Sequence, residues 1–216
     1  MEGRREMPTT DRHDPLDPIA PLRHFVVAMT RLVEHTQDER ALLREGRRHL
    51  SELLADDRWL PVSCASAKAG EYRQYLLHCD PLERFSVVSF VWGPGACTPI
   101  HDHTVWGLVG VLRGAEHCME YALQGDAQVR ASGREHVMQA GMIEAVSPTL
   151  GDWHVVSNAA PDAPSVSIHV YGGNIGAVKR HRFDEAQGKL LDFVSGYSSD
   201  TTPNLWDLSA PARVTG

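Results

Sequence analysis

The sequence predicts a mainly β protein, a jelly-roll-like barrel of short strands with two N-terminal helices packed on it. Three observations carry that reading. Beyond Glu71 the chain breaks into short β-branched and aromatic runs separated by Gly, Pro, Asn and Asp, the texture of a sandwich or barrel. Before Glu71, two stretches place apolar residues at three- and four-residue steps, the period of an amphipathic helix. No glycine-rich strand-to-helix turn and no P-loop is present, so nothing points to a nucleotide-binding α/β fold.

Residues 1–17 are polar and punctuated by proline, with no apolar segment of the kind that drives secretion, and are expected to form a flexible leader. Ile19, Leu22, Phe25, Val26, Met29, Leu32 and Val33 then mark one helix. A second runs from about Asp38 to Leu54, with Leu42, Leu43, Leu50, Leu53 and Leu54 on its apolar side. Together residues 18–56 form a helical cap over one end or face of the sheet. Tyr72–His78 and Phe85–Trp92 are rich in strand-forming residues, and Gly93-Pro94-Gly95 ends the second run. Trp106–Leu112, His117–Leu123, Val137–Gln139, Ile143–Val146, His154–Ser157 and Val166–Tyr171 follow at short intervals. The barrel is expected over 70–183 and a C-terminal extension, with Trp206, over 184–216. A single domain from 18 to 216 suits a chain of 216 residues.

A formal charge of −7 gives no electrostatic support to nucleic-acid binding. No apolar run approaches the ~18–20 residues that span a bilayer. A cytoplasmic protein without membrane or nucleic-acid partners is expected, as a monomer or weak homo-oligomer. Cys64, Cys79, Cys97 and Cys118 show no CxxC spacing, and free thiols are expected in a reducing compartment.

Histidine is the anomaly, at twelve residues. In the stretch Gly95-Ala-Cys-Thr-Pro-Ile-His101-Asp-His103, two histidines two apart share one face of an extended chain, which makes half of a metal site. Gly151-Asp-Trp-His154 supplies a third ligand from elsewhere in the barrel. The spacing Gly95, His101, His103, Gly107, Gly114 is the first motif of the cupins, with Gly107 where many cupins carry a glutamate ligand. Gly141, Pro148, Gly151, His154 and Asn158 resemble the second motif. The fold class is therefore a cupin double-stranded β-helix. Without the glutamate, three neutral imidazoles leave the metal's charge undiminished, which lowers the pKa of a bound thiol. Imidazole suits Fe, Zn, Cu and Ni alike, so ligand type does not choose the metal.

The stretches TPIHDHTVWGLVGVLRG (98–114) and SVSIHVYGGNIGAV (165–178) resemble the cysteine dioxygenase family of thiol dioxygenases. Within it they match best the bacterial 3-mercaptopropionate dioxygenases, over roughly 71–183. That resemblance implies one iron(II) per chain on His101, His103 and His154, dioxygen as co-substrate and a sulfinic acid product. It also implies a relay of Ser167, His169 and Tyr171 behind the metal; alternate residues of one strand share a face, so all three can line one cavity. In animal cysteine dioxygenases a cysteine is linked to that tyrosine. The matching position here is Gly107, so Tyr171 is expected to be unmodified.

For the substrate carboxylate the resemblance offers Arg180, with Gln74 as the glutamine of the mercaptopropionate group. Arg73 is adjacent to Gln74, and only one of the two can face the cavity. The implied reaction is oxygenation of 3-mercaptopropionate to 3-sulfinopropionate. Cysteine dioxygenation and a non-catalytic, metal- or ligand-binding cupin are the alternatives.

Overall fold

The computed structural model describes residues 17–125 and 128–199. The expected leader, apart from residue 17, and Trp206 lie outside the described residues. Two helices come first, α1 (Ala20–His35) and α2 (Glu39–Leu54). Pro21 sits in the first turn of α1, where its missing N–H costs nothing. Asp38 caps α2 by accepting a hydrogen bond from the Ala41 N–H at 3.1 Å.

Eleven strands follow among the described residues: β1 (Tyr72–Cys79), β2 (Ser86–Trp92), β3 (Ile100–His101), β4 (Gly107–Arg113), β5 (Ala115–Gln124), β6 (Gln128–Gln139), β7 (Ile143–Val146), β8 (Trp153–Asn158), β9 (Ser165–Tyr171), β10 (Arg180–Asp184) and β11 (Lys189–Phe193). They form two antiparallel sheets, ordered β1-β2-β9-β4-β7 and β11-β10-β3-β8-β5-β6. This is the cupin double-stranded β-helix. Among the described residues no helix is long and apolar enough to cross a membrane.

Strands β2 and β9 are buried along their whole length because each has a filled layer on both sides. Val87 and Val91 of β2, with Val166, Ile168 and Val170 of β9, pack under the helices against Phe25, Met29, Leu50 and Leu54. The alternate residues Val88, Phe90, Trp92 and Tyr171 face the barrel interior. Strand parity thus turns Ser167, His169 and Tyr171 inward, because their apolar neighbours are committed to the helix side.

The two sheets reach further than the patterns above implied. Strand β6 begins at Gln128, nine residues before the expected Val137, because it is an edge strand paired with β5 alone. Most of its side chains face solvent, so no apolar alternation marks it. The second sheet continues through β10 and β11 to Phe193, into the stretch expected as an extension. The sequence RHRFD lacks an apolar period; pairing of Arg182 with His101 and Phe183 with Ile100 makes it a strand.

Candidate metal centre

The site starts from the shortest strand. Within β3, His101 pairs with His154 of β8, so two imidazoles stand side by side on adjacent strands. The expectation that His101 and His103 share one strand holds only as far as His101, where β3 ends. Thr104 then takes a positive φ of 60°. A non-glycine residue adopts that conformation only when its surroundings hold it there. Here Asp152 does so: its Oδ2 accepts the N–H groups of His103 and Thr104, each at 2.9 Å. The turn brings His103 back toward the other two histidines.

The three rings converge with centroids 4.8–5.0 Å apart, and one ligand atom from each lies within 4.8 Å of the others. All three side chains are buried. Each Nδ1 is engaged away from the centre: His101 with the Pro99 carbonyl at 3.0 Å, His103 with Asp152 Oδ1 at 2.9 Å, and His154 with Cys118 Sγ at 3.7 Å. That leaves the three Nε2 atoms free for one ion, with orientation and tautomer set from behind. Burial, reinforced by mutual repulsion, pushes His101 and His154 far below the ordinary imidazole pKa. They are neutral, as ligands must be. Among the described residues no carboxylate joins the group. The donor set fits a divalent metal with open positions.

Asp152 received no role from the sequence, although an aspartate two residues before a histidine ligand is a recognisable signal. Burial raises its pKa, but the hydrogen bond from His103 and the two N–H groups outweigh burial and hold the carboxyl below its ordinary value. Asp152→Asn keeps the size and loses the charge. Metal affinity is expected to drop about 10–100-fold, the usual effect of removing such a partner, measured by competition with a chromophoric chelator.

Behind the histidines lies the expected serine, histidine and tyrosine series. Tyr171 Oη is 2.7 Å from His169 Nδ1, and His169 Nε2 is 2.8 Å from Ser167 Oγ. The Tyr171 ring stacks on His103 with centroids 5.3 Å apart. Burial pushes the Tyr171 phenol up and the His169 imidazole down, so both are uncharged. Gly107 pairs with Tyr171 across β4 and β9, and a Cβ at Gly107 would lie 2.8 Å from the ring. The glycine gives the ring its room, and no sulfur stands there to link with it.

Arg180, at the start of β10, is buried and 3% exposed. One guanidinium nitrogen donates to Ser195 Oγ at 2.6 Å, the group lies 4.6 Å above the Phe193 ring, and Nε has no hydrogen-bond partner. Burial lowers its pKa, and its charge acts on His101, His169 and Tyr171. Among the described residues it forms no ion pair with a carboxylate. The adjacent pair on β1 divides as strand geometry requires: Gln74 is buried, whereas Arg73 is only half-buried and pairs with Glu71 at 2.8 Å. The Gln74 amide donates to Ser195 Oγ at 3.2 Å and to the Gly196 carbonyl at 2.8 Å. Ser195 thus ties Gln74 to Arg180. Nothing in the sequence marked it, because the segment after β11 has neither period nor motif.

The family model described as cysteine dioxygenase type I matches residues 72–186, more than half of the chain. The chain belongs to that family. Membership makes it a cupin of the thiol dioxygenase class, and the family's non-haem iron accords with the three-histidine centre. Among solved structures, it is similar to an uncharacterized conserved protein with a double-stranded β-helix domain from Klebsiella pneumoniae. The identity is 20%, over 55% of this chain and 93% of that one, with a TM-score of 0.42. It is also similar to a cupin superfamily protein from Desulfitobacterium hafniense, at 13% identity over 53% and 90% of the two chains and a TM-score of 0.39. A Cupin 2 conserved barrel domain protein from Salinispora arenicola matches at 17% identity over 53% and 86%, with a TM-score of 0.39.

Proposed function

We propose that this protein is an iron(II) thiol dioxygenase that converts 3-mercaptopropionate to 3-sulfinopropionate. The single observation that carries the substrate is Arg180, a buried guanidinium beside the histidines with no carboxylate partner among the described residues. A buried charge is costly until it is paired. A substrate carboxylate would pair it, and a planar guanidinium can grip one bidentately.

Two acidic side chains close to the histidines in sequence favour mercaptopropionate over cysteine. Asp102 is engaged by His181 at 2.7 Å and Asp152 by His103. Neither is free to receive the α-ammonium that cysteine adds.

Each residue then has a defined task. His101, His103 and His154 would hold iron(II), which when bound supplies the redox chemistry that adds both atoms of dioxygen to sulfur. Arg180 anchors the carboxylate, with Ser195 and Gln74 steadying the guanidinium from behind. Fixing that end turns the thiol toward the histidines and lowers the entropic cost of reaction. Tyr171, uncharged and held by His169, offers its hydroxyl to the substrate. Four free cysteines suit a reducing compartment, and we place the protein in the cytoplasm.

The test is anaerobic reconstitution with iron(II), followed by oxygen uptake and product mass with 3-mercaptopropionate, cysteine and cysteamine. A gain of two oxygen atoms is expected, with kcat/KM highest for 3-mercaptopropionate. Cysteamine, which has no carboxylate, is expected to be lowest by about 100-fold, the scale of a lost charged contact. A preference for cysteine would reverse the substrate assignment. No oxygen uptake with any thiol would favour a non-catalytic metal-binding cupin.

A further inference from the structure

Behind His154, on the side away from the three-histidine centre, lies a second group of metal-ligating side chains that the proposed reaction does not use. Cys118 of β5, His136 of β6 and Glu144 of β7 each offer one ligand atom, and these atoms lie within 4.8 Å of one another. We propose that Cys118, His136 and Glu144 form a second metal site, for zinc, that staples the two sheets together at one corner of the barrel.

Three separate strands place the donors. Cys118 and His136 are direct cross-strand partners in β5 and β6, so their side chains leave the sheet on one face. That face is the inner one, since Cys118 is buried and packs in the interior cluster with Val156 and Tyr171. Glu144 comes from the other sheet, where it pairs with Val109 of β4. Val109 packs with Val111 and with Met138, which stands two residues along β6 from His136. Glu144 and His136 therefore share the interior as well. Strands β6 and β7 are the last strands of their sheets, and only the Ala140-Gly141-Met142 turn separates them. The site thus bridges the corner at which the chain crosses from one sheet to the other.

The contacts among the three are those of ligands rather than of a finished ion pair. His136 Nε2 lies 2.5 Å from Glu144 Oε1, yet this buried nitrogen makes no hydrogen bond. With no hydrogen shared between them, the nitrogen and oxygen lone pairs stand against one another, and a common cation would relieve that repulsion. Cys118 Sγ lies 3.7 Å from His154 Nδ1, the ring nitrogen turned away from the three-histidine centre. One imidazole therefore separates the two sites, and no ligand is common to both.

Charge and softness choose the ion. A thiolate and a carboxylate together offset a +2 charge, so a divalent ion fills the site without burying net charge. A thiolate beside an imidazole selects zinc over hard ions such as magnesium or calcium. Binding replaces the Cys118 S–H bond with a sulfur–zinc bond and releases one proton to solvent; no electron moves. Tetrahedral zinc holds such donors about 3.3–3.6 Å apart, so nitrogen and oxygen must open by about 1 Å while sulfur closes in. The side chains of His136 and Glu144 are partly exposed and free to make that adjustment. Their exposure also leaves the fourth position to water.

Cobalt(II), which takes zinc's tetrahedral place and absorbs strongly when bound to sulfur, tests the site on the full-length protein freed of metal. The three-histidine centre holds no sulfur, so a sulfur-to-cobalt charge-transfer band reports the second site alone. Two cobalt ions per chain are expected, one of them with the band, and zinc is expected to displace it. Cys118→Ser should abolish the band. His136→Ala and Glu144→Gln should each weaken the affinity read from the band by more than about tenfold. Both positions are partly exposed, so these variants keep the test open if Cys118→Ser fails to fold. His101→Ala should lose the other ion and keep the band.

One ion per chain without the band overturns the proposal, as does a band that survives Cys118→Ser or is indifferent to both His136→Ala and Glu144→Gln. A band lost in His101→Ala would place the sulfur at the histidine centre and overturn it equally. The staple has its own readout: zinc should raise the Tm of His101→Ala and fail to raise that of His101→Ala combined with Glu144→Gln. Equal shifts in the two would remove the staple. None of these measurements uses turnover, so their outcome stands apart from the reading as a thiol dioxygenase.

Discussion

Replacing His154 with alanine is expected to strip the protein of its iron and reduce thiol oxygenation to background. Three imidazoles converge on the centre, and among the described residues no carboxylate stands by to substitute. Losing one of three ligands should cost more than the 10–100-fold that follows loss of a supporting hydrogen bond, well over about a hundredfold in affinity. The fold should survive. His154 joins His101 through backbone pairing, and β8 is also paired with β5 from Glu116 to Tyr121. Metal content by mass spectrometry after anaerobic reconstitution, oxygen uptake and a thermal melt are the measurements. A variant that retains one iron per chain would remove His154 from the centre.

Arg180→Gln is expected to raise KM for 3-mercaptopropionate steeply and to leave cysteamine little changed. Truncating one partner of a buried charge pair costs about 2–5 kcal/mol, which is tens- to thousands-fold in binding. Arg180→Lys keeps the charge and loses the planar fork, so it should recover only part of the loss. The same side chain predicts an opposite effect on stability. A buried guanidinium with one nitrogen unpartnered weakens the folded protein when no substrate pairs it. Arg180→Met should therefore raise the Tm of the substrate-free protein while removing activity, a trade-off common at binding sites. A lower Tm with an unchanged KM would make Arg180 structural and the carboxylate assignment wrong.

Much of the site was legible because its chemistry is local in sequence. His101 and His103 announce themselves by spacing, and the glycines around them fix where the chain must turn. Ser167, His169 and Tyr171 alternate on a strand whose other face, Val166, Ile168 and Val170, is plainly apolar. The choice between Arg73 and Gln74 could be posed from parity but not decided. Tyr72 and Tyr75 give β1 no clear apolar face, and only its register with β2 buries Gln74.

The illegible parts have a common cause. Asp152 and Thr104 are 48 residues apart, and Ser195 and Gln74 are 121 apart. Each contact joins segments that only the folded sheets bring together, rather than neighbouring residues. Most of β6, and all of β10 and β11, escaped notice for a related reason: sheet pairing, not an apolar period, makes them strands.

The sequence by itself determined the barrel, its two covering helices and the three imidazoles, since burial period and ligand spacing are properties of short segments. Tertiary structure alone decided what stands behind those imidazoles. Asp152 aims His103 and Ser195 steadies Arg180 because a hydrogen bond depends on distance in space, to which separation along the chain is no guide.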